Sequence, residues 1–170
     1  MSRITLLSLL TIFTLTGCYT LSGISIPTGV EKAYVPLYID NALGAPPTLF
    51  IDMTEALRNK VRDEARLEIT EDDPDVEMKG TLVDFRVSAE GASPGNETAA
   101  FAKLNRLTIV VAIEYKNLRD EEDKGWRQNF SNYYDFPATQ TLASVQEEAI
   151  EDITKQINEK IFNKAFAEDW

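Results

Sequence analysis

Residues 107–115 read LTIVVAIEY, the most regular strand pattern in the chain. Its apolar side chains occupy every second position, at Leu107, Ile109, Val111, Ile113 and Tyr115. This period of two is typical of a strand that buries one face. The charged segment 119–125 then predicts a turn, and residues 126–131 predict another strand.

The alternation over residues 76–89 changes phase partway along. The first phase comprises Val76, Met78, Gly80 and Leu82, and the second comprises Val83, Phe85, Val87 and Ala89. A slip of one residue moves the apolar set to the opposite face of a strand. We therefore predict a β-bulge or a change of sheet partner near Leu82–Val83.

Two further strands and a helix are predicted before this region. Residues 33–39 alternate, and because Pro36 cannot donate a backbone hydrogen bond we expect an edge strand. A helix of about 18 residues is predicted to begin at Pro47. Its apolar stripe comprises Leu49, Phe50, Met53, Leu57 and Val61. Residues 66–70 predict a short strand.

The C-terminal part of the chain predicts an aromatic-rich loop over residues 132–141 and then a long helix. Ser144 and Glu147 have the spacing of a capping box. One apolar stripe recurs every three or four residues, at Val145, Ala149, Ile153, Ile157, Ile161 and Ala165. This helix is therefore expected to face the core along its length.

The order of these elements predicts an α+β two-layer sandwich. We expect two helices packed on one face of a mostly antiparallel sheet of four to five strands. Residues 31–170 are predicted to form this single domain. Residues 18–30 carry Ser, Gly and Pro without a clear period and indicate a tether.

The N-terminus has the plan of a bacterial secretory signal. Arg3 precedes an apolar stretch, and residues 15–18 read LTGC, which resembles the lipobox of bacterial lipoproteins. We expect residues 1–17 to be removed and Cys18 to carry the acyl chains that anchor the chain to a membrane. The alternative is an uncleaved N-terminus in which Cys18 is an ordinary buried residue. Tyr19 stands where an inner-membrane retention signal has Asp, which favours the outer membrane.

Composition excludes several functions. The 170 residues include no histidine and one cysteine, which excludes Ser-His and Cys-His catalysis, His-ligated zinc and an intrachain disulfide. The net charge of −11 disfavours nucleic-acid binding.

Residues 91–95 match the G-x-S-x-G hydrolase pattern, but Pro94 lacks the required N–H. No enzymatic activity, metal or cofactor is expected, and the acidic residues Asp73, Asp75 and Glu77 are interpreted as a solvated turn instead of a calcium loop.

Three groups of residues are candidates for contacts with a ligand or partner. Arg58, Arg62 and Arg66 recur every four residues, which predicts either complementation of a helix dipole or a basic row for anions. Lys103 and Arg106 form a second basic group, with Arg86 on the preceding strand. The aromatic residues Tyr133, Tyr134 and Phe136 either cover the core or anchor a partner.

Several segments together resemble the LptE family of lipopolysaccharide-assembly lipoproteins. They are residues 25–30 (SIPTGV), 47–49 (PTL), 54–57 (TEAL), 95–100 (GNETAA), 105–109 (NRLTI), 130–131 (FS), 135–136 (DF) and 161–166 (IFNKAF). The resemblance implies a two-layer α/β body that plugs the outer-membrane β-barrel LptD, assists its assembly and contacts lipopolysaccharide. The alternatives are a lipoprotein scaffold or pilotin that faces the periplasm and serves another envelope complex, and an enzyme that relies on carboxylates alone.

Overall fold

The computed structural model describes residues 25–90, 103–120 and 122–167. Its elements are β1 (Lys32–Tyr34), β2 (Ile39–Asp40), α1 (Leu49–Glu64), β3 (Glu68–Ile69), β4 (Val76–Glu90), β5 (Leu104–Asn117), β6 (Trp126–Pro137) and α2 (Leu142–Phe166). Neither of these helices combines the length and the apolar composition needed to span a membrane. The predicted signal peptide, Cys18 and the segment 91–95 lie outside the described residues.

The strands form one mixed, six-stranded sheet in the order β3-β1-β4-β5-β6, with β2 also paired to β4. The two helices and the α+β class are confirmed, but the prediction of a mostly antiparallel sheet of four to five strands is wrong. β4, β5 and β6 are antiparallel to their neighbours, whereas β1 runs parallel to both β3 and β4. The cause is α1, since a helix between β1 and β3 returns the chain to the same end of the sheet.

The predicted strand over residues 33–39 is interrupted, and its first part does not lie at an edge, whereas Ile39 in β2 is paired with β4 alone. β1 ends at Tyr34 and lies between β3 and β4, and the chain around Pro36 leaves the ladder before β2 rejoins β4. Side chains of α1 replace the missing ladder bonds. Arg58 Nε donates to the carbonyl of Val35 at 2.8 Å, and Thr54 Oγ1 accepts from the Tyr38 N–H at 3.0 Å.

Gly80 of β4 accommodates this interruption. The Tyr38 ring is buried against Gly80, and a Cβ at that position would overlap the ring. A larger residue would therefore separate the irregular segment from the sheet.

The predicted bulge is confirmed. The register between β4 and β5 shifts between Leu82 and Asp84, where Leu82 faces Val111 and Asp84 faces Val110. Leu82 and Phe85 are both buried, and Val83 between them is exposed. The extra residue therefore lets Phe85 of the second phase share the helix-covered face with Leu82 of the first, whereas Val83 and Val87 remain exposed.

The prediction of a loop over residues 132–141 is wrong for most of its length. β6 continues to Pro137 and stays in register with β5, with Tyr134 opposite Leu107 and Phe136 opposite Asn105. Aromatic residues favour strands, and the adjacent tyrosines obscured the alternation in the sequence.

Both helices pack on one face of the sheet. The predicted stripes are confirmed by the burial of Leu49, Met53, Leu57 and Val61 on α1, and of Ala149, Ile153, Ile157 and Ile161 on α2. The predicted capping box is wrong, because α2 already begins at Leu142 and the Ser144 hydroxyl donates to the carbonyl of Thr141 at 2.8 Å.

Candidate functional site

The acidic segment before β4 contains a buried carboxylate. Asp75 Oδ2 accepts from the backbone N–H groups of Glu31 and Lys32 at 2.7 and 2.8 Å, and Oδ1 accepts from Arg119. Hydrogen bonds from Glu31 and Arg119 lower the pKa of Asp75 to about 2. The interpretation of a solvated acidic turn is therefore wrong for Asp75. We call Asp75, Arg119 and these two N–H groups the Asp75 clamp, which fixes the chain entering β1 to the start of β4.

The three arginines spaced by four do not form one helical row. Arg58 is engaged by the Val35 carbonyl and by Glu55 at 2.6 Å, and Arg62 donates to Asn59 Oδ1 at 2.8 Å. Arg66 lies beyond the end of α1 and has a φ of 60°. Arg58 therefore closes the gap between β1 and β2, and Arg66 departs from the direction of the helix.

A second arginine–carboxylate pair lies at the other end of β4. Arg106 Nε and Nη2 donate to the two carboxylate oxygens of Asp135 at 2.7 and 2.8 Å. The guanidinium carbon lies 3.8 Å from the centre of the Tyr133 ring, and Glu90 Oε1 lies 3.8 Å from Nε. We call Arg106, Tyr133, Asp135 and Glu90 the Arg106 cluster.

Sheet register assembles this cluster. Arg106 of β5 lies directly opposite Asp135 of β6 and next to Ser88 of β4. Tyr133 is opposite Thr108, two residues along β5, which makes it a diagonal neighbour of Arg106 on the same face. That face points away from the helices, because the intervening residues Leu107 and Ile109 are buried beneath them.

Charges around the Arg106 cluster are balanced within the described residues. Arg86, on the same face of β4, pairs with Asp84, and Lys103 is exposed just before β5. The three positive charges, Arg86, Lys103 and Arg106, are balanced by three negative ones, Asp84, Glu90 and Asp135. The Arg106 pair lowers the pKa of Asp135, so this carboxylate stays ionised. Local attraction for an anion is weak, and an anion would have to bind the guanidinium N–H groups that Asp135 leaves available.

The three candidate aromatic residues have different environments. Phe136 is buried in the core, and Tyr134 packs against it with a hydrogen bond to Glu148 of α2 that raises the pKa of Tyr134. Tyr133 is 50% exposed and lies under the Arg106 guanidinium. Only Tyr133 of these three presents a large surface to a ligand or partner.

Sequence reasoning missed a polar pair in the helix layer. Thr154 and Asn158 of α2 are buried beside the core residues Ile153 and Ile157, and they line a groove between α1 and α2. The signal was present in the sequence, since two polar residues four apart flank an otherwise apolar stripe. Within the described residues, no group of three side chains is arranged to hold a metal ion.

Comparisons with known proteins give one family match. The model of the family described as LptE, lipopolysaccharide-assembly, matches residues 33–165. No curated protein sequence matches the chain.

Several solved structures resemble the chain at low sequence identity. The hypothetical protein CT253 from Chlamydia trachomatis is 6% identical, with a TM-score of 0.53 over 79% of this chain and 96% of that chain. A minor lipoprotein from Acinetobacter baumannii is 11% identical, with a TM-score of 0.44 over 80% and 95%. Lipoprotein GNA1162 from Neisseria meningitidis is 8% identical, with a TM-score of 0.43 over 76% and 99%. The first of these likenesses shows a shared fold.

Proposed function

From the premise that the chain belongs to the LptE lipopolysaccharide-assembly family, we propose that it is the plug subunit of the outer-membrane lipopolysaccharide translocon. In this role it occupies the lumen of an LptD-type β-barrel, assists barrel assembly and aids insertion of lipopolysaccharide into the outer membrane. It performs no catalysis. The observation that carries the proposal is the extent of the family match, which runs from β1 to the end of α2 and so includes both layers of the fold.

The surface of the sheet supports this role. On the face away from the helices, Lys79 pairs with Glu77 at 2.8 Å and Lys116 pairs with Glu114 at 2.9 Å. A wide barrel has a polar lumen that must be filled. The charged pairs on this sheet face are suited to that environment, and the exposed side chains of Leu37 and Ile39 lie beside them.

We propose that Cys18 carries the lipid anchor. The described chain starts at Ser25, whose N–H donates to the Phe166 carbonyl at 2.6 Å, so the tether joins the body beside the end of α2. Two membrane signals suffice for stable anchoring, which acyl chains on Cys18 would supply. Cys18→Ser is expected to abolish incorporation of radiolabelled palmitate, and unchanged labelling would contradict the lipobox assignment.

Lipopolysaccharide contact is proposed at the Arg106 cluster. The acidic chain cannot attract a phosphorylated lipid through its overall charge, so contact must depend on local hydrogen bonds. Arg106 provides a planar guanidinium held in position by Asp135 and Tyr133. Arginine in such a fixed geometry is well suited to phosphate.

The test of the proposed function is copurification. A tagged full-length chain is expressed in its own bacterium, extracted from outer membranes in mild detergent and analysed by mass spectrometry. We expect a large β-barrel protein of the LptD type in equimolar amount, and defective assembly of that barrel when the chain is depleted. Recovery of the chain alone, with normal barrel assembly after depletion, would overturn the proposal.

A further inference from the structure

A groove of about 870 Å³ lies between α1 and α2 on the outer side of the helix layer. Leu49 and Ala56 of α1 and Ala143 and Ile150 of α2 contribute its apolar lining. The groove belongs to the opposite layer from the Arg106 cluster. It is therefore a separate surface of the molecule.

The groove contains a buried side-chain amide without a partner. Asn158 is 2% exposed, and neither its Oδ1 nor its Nδ2 has a hydrogen-bond partner among the residues that the structure describes. Within the same residues, Thr154 Oγ1, one turn earlier, also lacks a partner. Buried polar groups in folded proteins are almost always satisfied, so these atoms indicate a ligand. A carboxamide offers both a donor and an acceptor, which together match the C=O and N–H of a peptide unit.

The charges around the groove define the chemistry of that ligand. Its charged lining residues are Asp52, Lys60, Glu64, Glu147, Glu151, Lys155 and Glu159. Lys60 of α1 pairs with Glu64 of the same helix at 2.7 Å and with Glu159 of α2 at 2.6 Å, so its charge is already neutralised. The remaining carboxylates are those of Asp52, Glu147 and Glu151, and they outnumber the remaining cation, Lys155. The groove therefore favours a cationic occupant.

We propose that this groove binds an extended, cationic segment of a partner polypeptide. A rotation of the buried Asn158 side chain brings its amide to the groove, where a peptide unit of the segment pairs with it, and a Lys or Arg side chain of the segment reaches Glu147 or Glu151. Small residues at positions 56 and 143 give the backbone room to approach. The inference goes beyond the plug function, because it concerns a second surface and holds whichever envelope complex the chain serves.

The test measures binding of two short probes to the full-length chain in non-ionic detergent. The probes are fluorescein-labelled, amidated hexapeptides that alternate alanine with lysine or alanine with glutamate, and fluorescence anisotropy reports binding. We expect the lysine probe to bind at least about ten-fold more tightly than the glutamate probe. Equal binding of the two probes, or no binding of the lysine probe, would overturn the proposal.

Variants of α2 assign the binding to the groove. Asn158→Leu removes the amide at similar volume and is expected to weaken the lysine probe about ten-fold without lowering the melting temperature. Glu151→Gln is expected to weaken it about three-fold, whereas Asp152→Asn, the same charge change at a neighbouring position outside the groove, should leave it unchanged. If Asn158→Leu fails to fold, the comparison of Glu151→Gln with Asp152→Asn decides whether the probe binds in the groove. Equal effects of these two variants would contradict the assignment.

Discussion

The two arginine–aspartate pairs at opposite ends of β4 have the same chemistry and different surroundings. In the Asp75 clamp, the Asp75 side chain is 3% exposed and accepts two backbone N–H groups in addition to Arg119. In the Arg106 cluster, the Asp135 side chain is 30% exposed and accepts two hydrogen bonds from Arg106. The clamp joins segments distant in sequence, whereas the cluster joins two strands already paired by their ladder.

The Asp75 clamp is therefore a structural pair, whereas the Arg106 cluster is available for binding. A carboxylate that satisfies buried backbone donors cannot be removed without exposing or orphaning them. A pair on the surface of a continuous ladder contributes little to stability, so its geometry is free to serve binding. The following predictions test this distinction.

The largest effect is expected from Asp75→Asn. The variant places an NH₂ group or a neutral oxygen where three donors converge, which leaves Glu31, Lys32 and Arg119 poorly satisfied. We expect the melting temperature at neutral pH to fall by at least about 5 °C. Asp135→Asn is the matched control and should change it by less than about 2 °C. The melting temperatures are measured by circular dichroism. Equal falls in the two variants would contradict the distinction between a structural pair at Asp75 and a surface pair at Asp135.

An acid titration sharpens the same contrast. The pKa of Asp75 is about 2 in the folded chain, below the value of about 3.9 for an unperturbed aspartate. Its contribution to stability is therefore fully present above pH ~4 and is lost as the pH falls from about 4 to about 2. We expect the stability difference between wild type and Asp75→Asn, measured by urea unfolding, to shrink over this window. A difference that stays constant to pH ~2 would contradict the assignment.

The smallest effect on stability is expected from exchanging Arg106 and Asp135. The double variant Arg106→Asp/Asp135→Arg keeps the cross-strand pair and moves the positive charge from β5 to β6. Its melting temperature should change by less than about 2 °C.

Lipopolysaccharide crosslinking from a photoreactive residue at Thr108 should nevertheless fall several-fold in that exchange variant. Arg86→Gln removes a cation from the same face and serves as control, in which crosslinking should stay at the wild-type level. Parallel loss of crosslinking and barrel copurification would indicate misfolding instead of a lost lipid contact.

Local patterns in the sequence predicted much of the fold. The phase slip at Leu82–Val83 located the bulge, and the stripes through Leu57 and Ile153 located the buried faces of both helices. These features depend on residues near one another in sequence. Periodicity therefore contains the required information.

The errors arose where distant segments decide the outcome. Pairing of β1 with both β3 and β4 made the sheet mixed, and the burial of Asp75 depends on N–H groups more than 40 residues away. The same limit applied to the candidate sites. Arg106 was identified as a cation, but its neutralisation by Asp135 follows from strand register, and the missing hydrogen-bond partners of Asn158 follow from the packing of α2 in the fold.

Photocrosslinking from opposite surfaces tests the central claim, that the chain works by filling a barrel. Photoreactive residues are introduced at Asn129, on the exposed face of the sheet, and at Gln156, exposed on α2, in living cells. A plug is enclosed, so both positions are expected to crosslink to the same outer-membrane β-barrel. Adducts from one position only, or adducts with two unrelated proteins, would contradict the account.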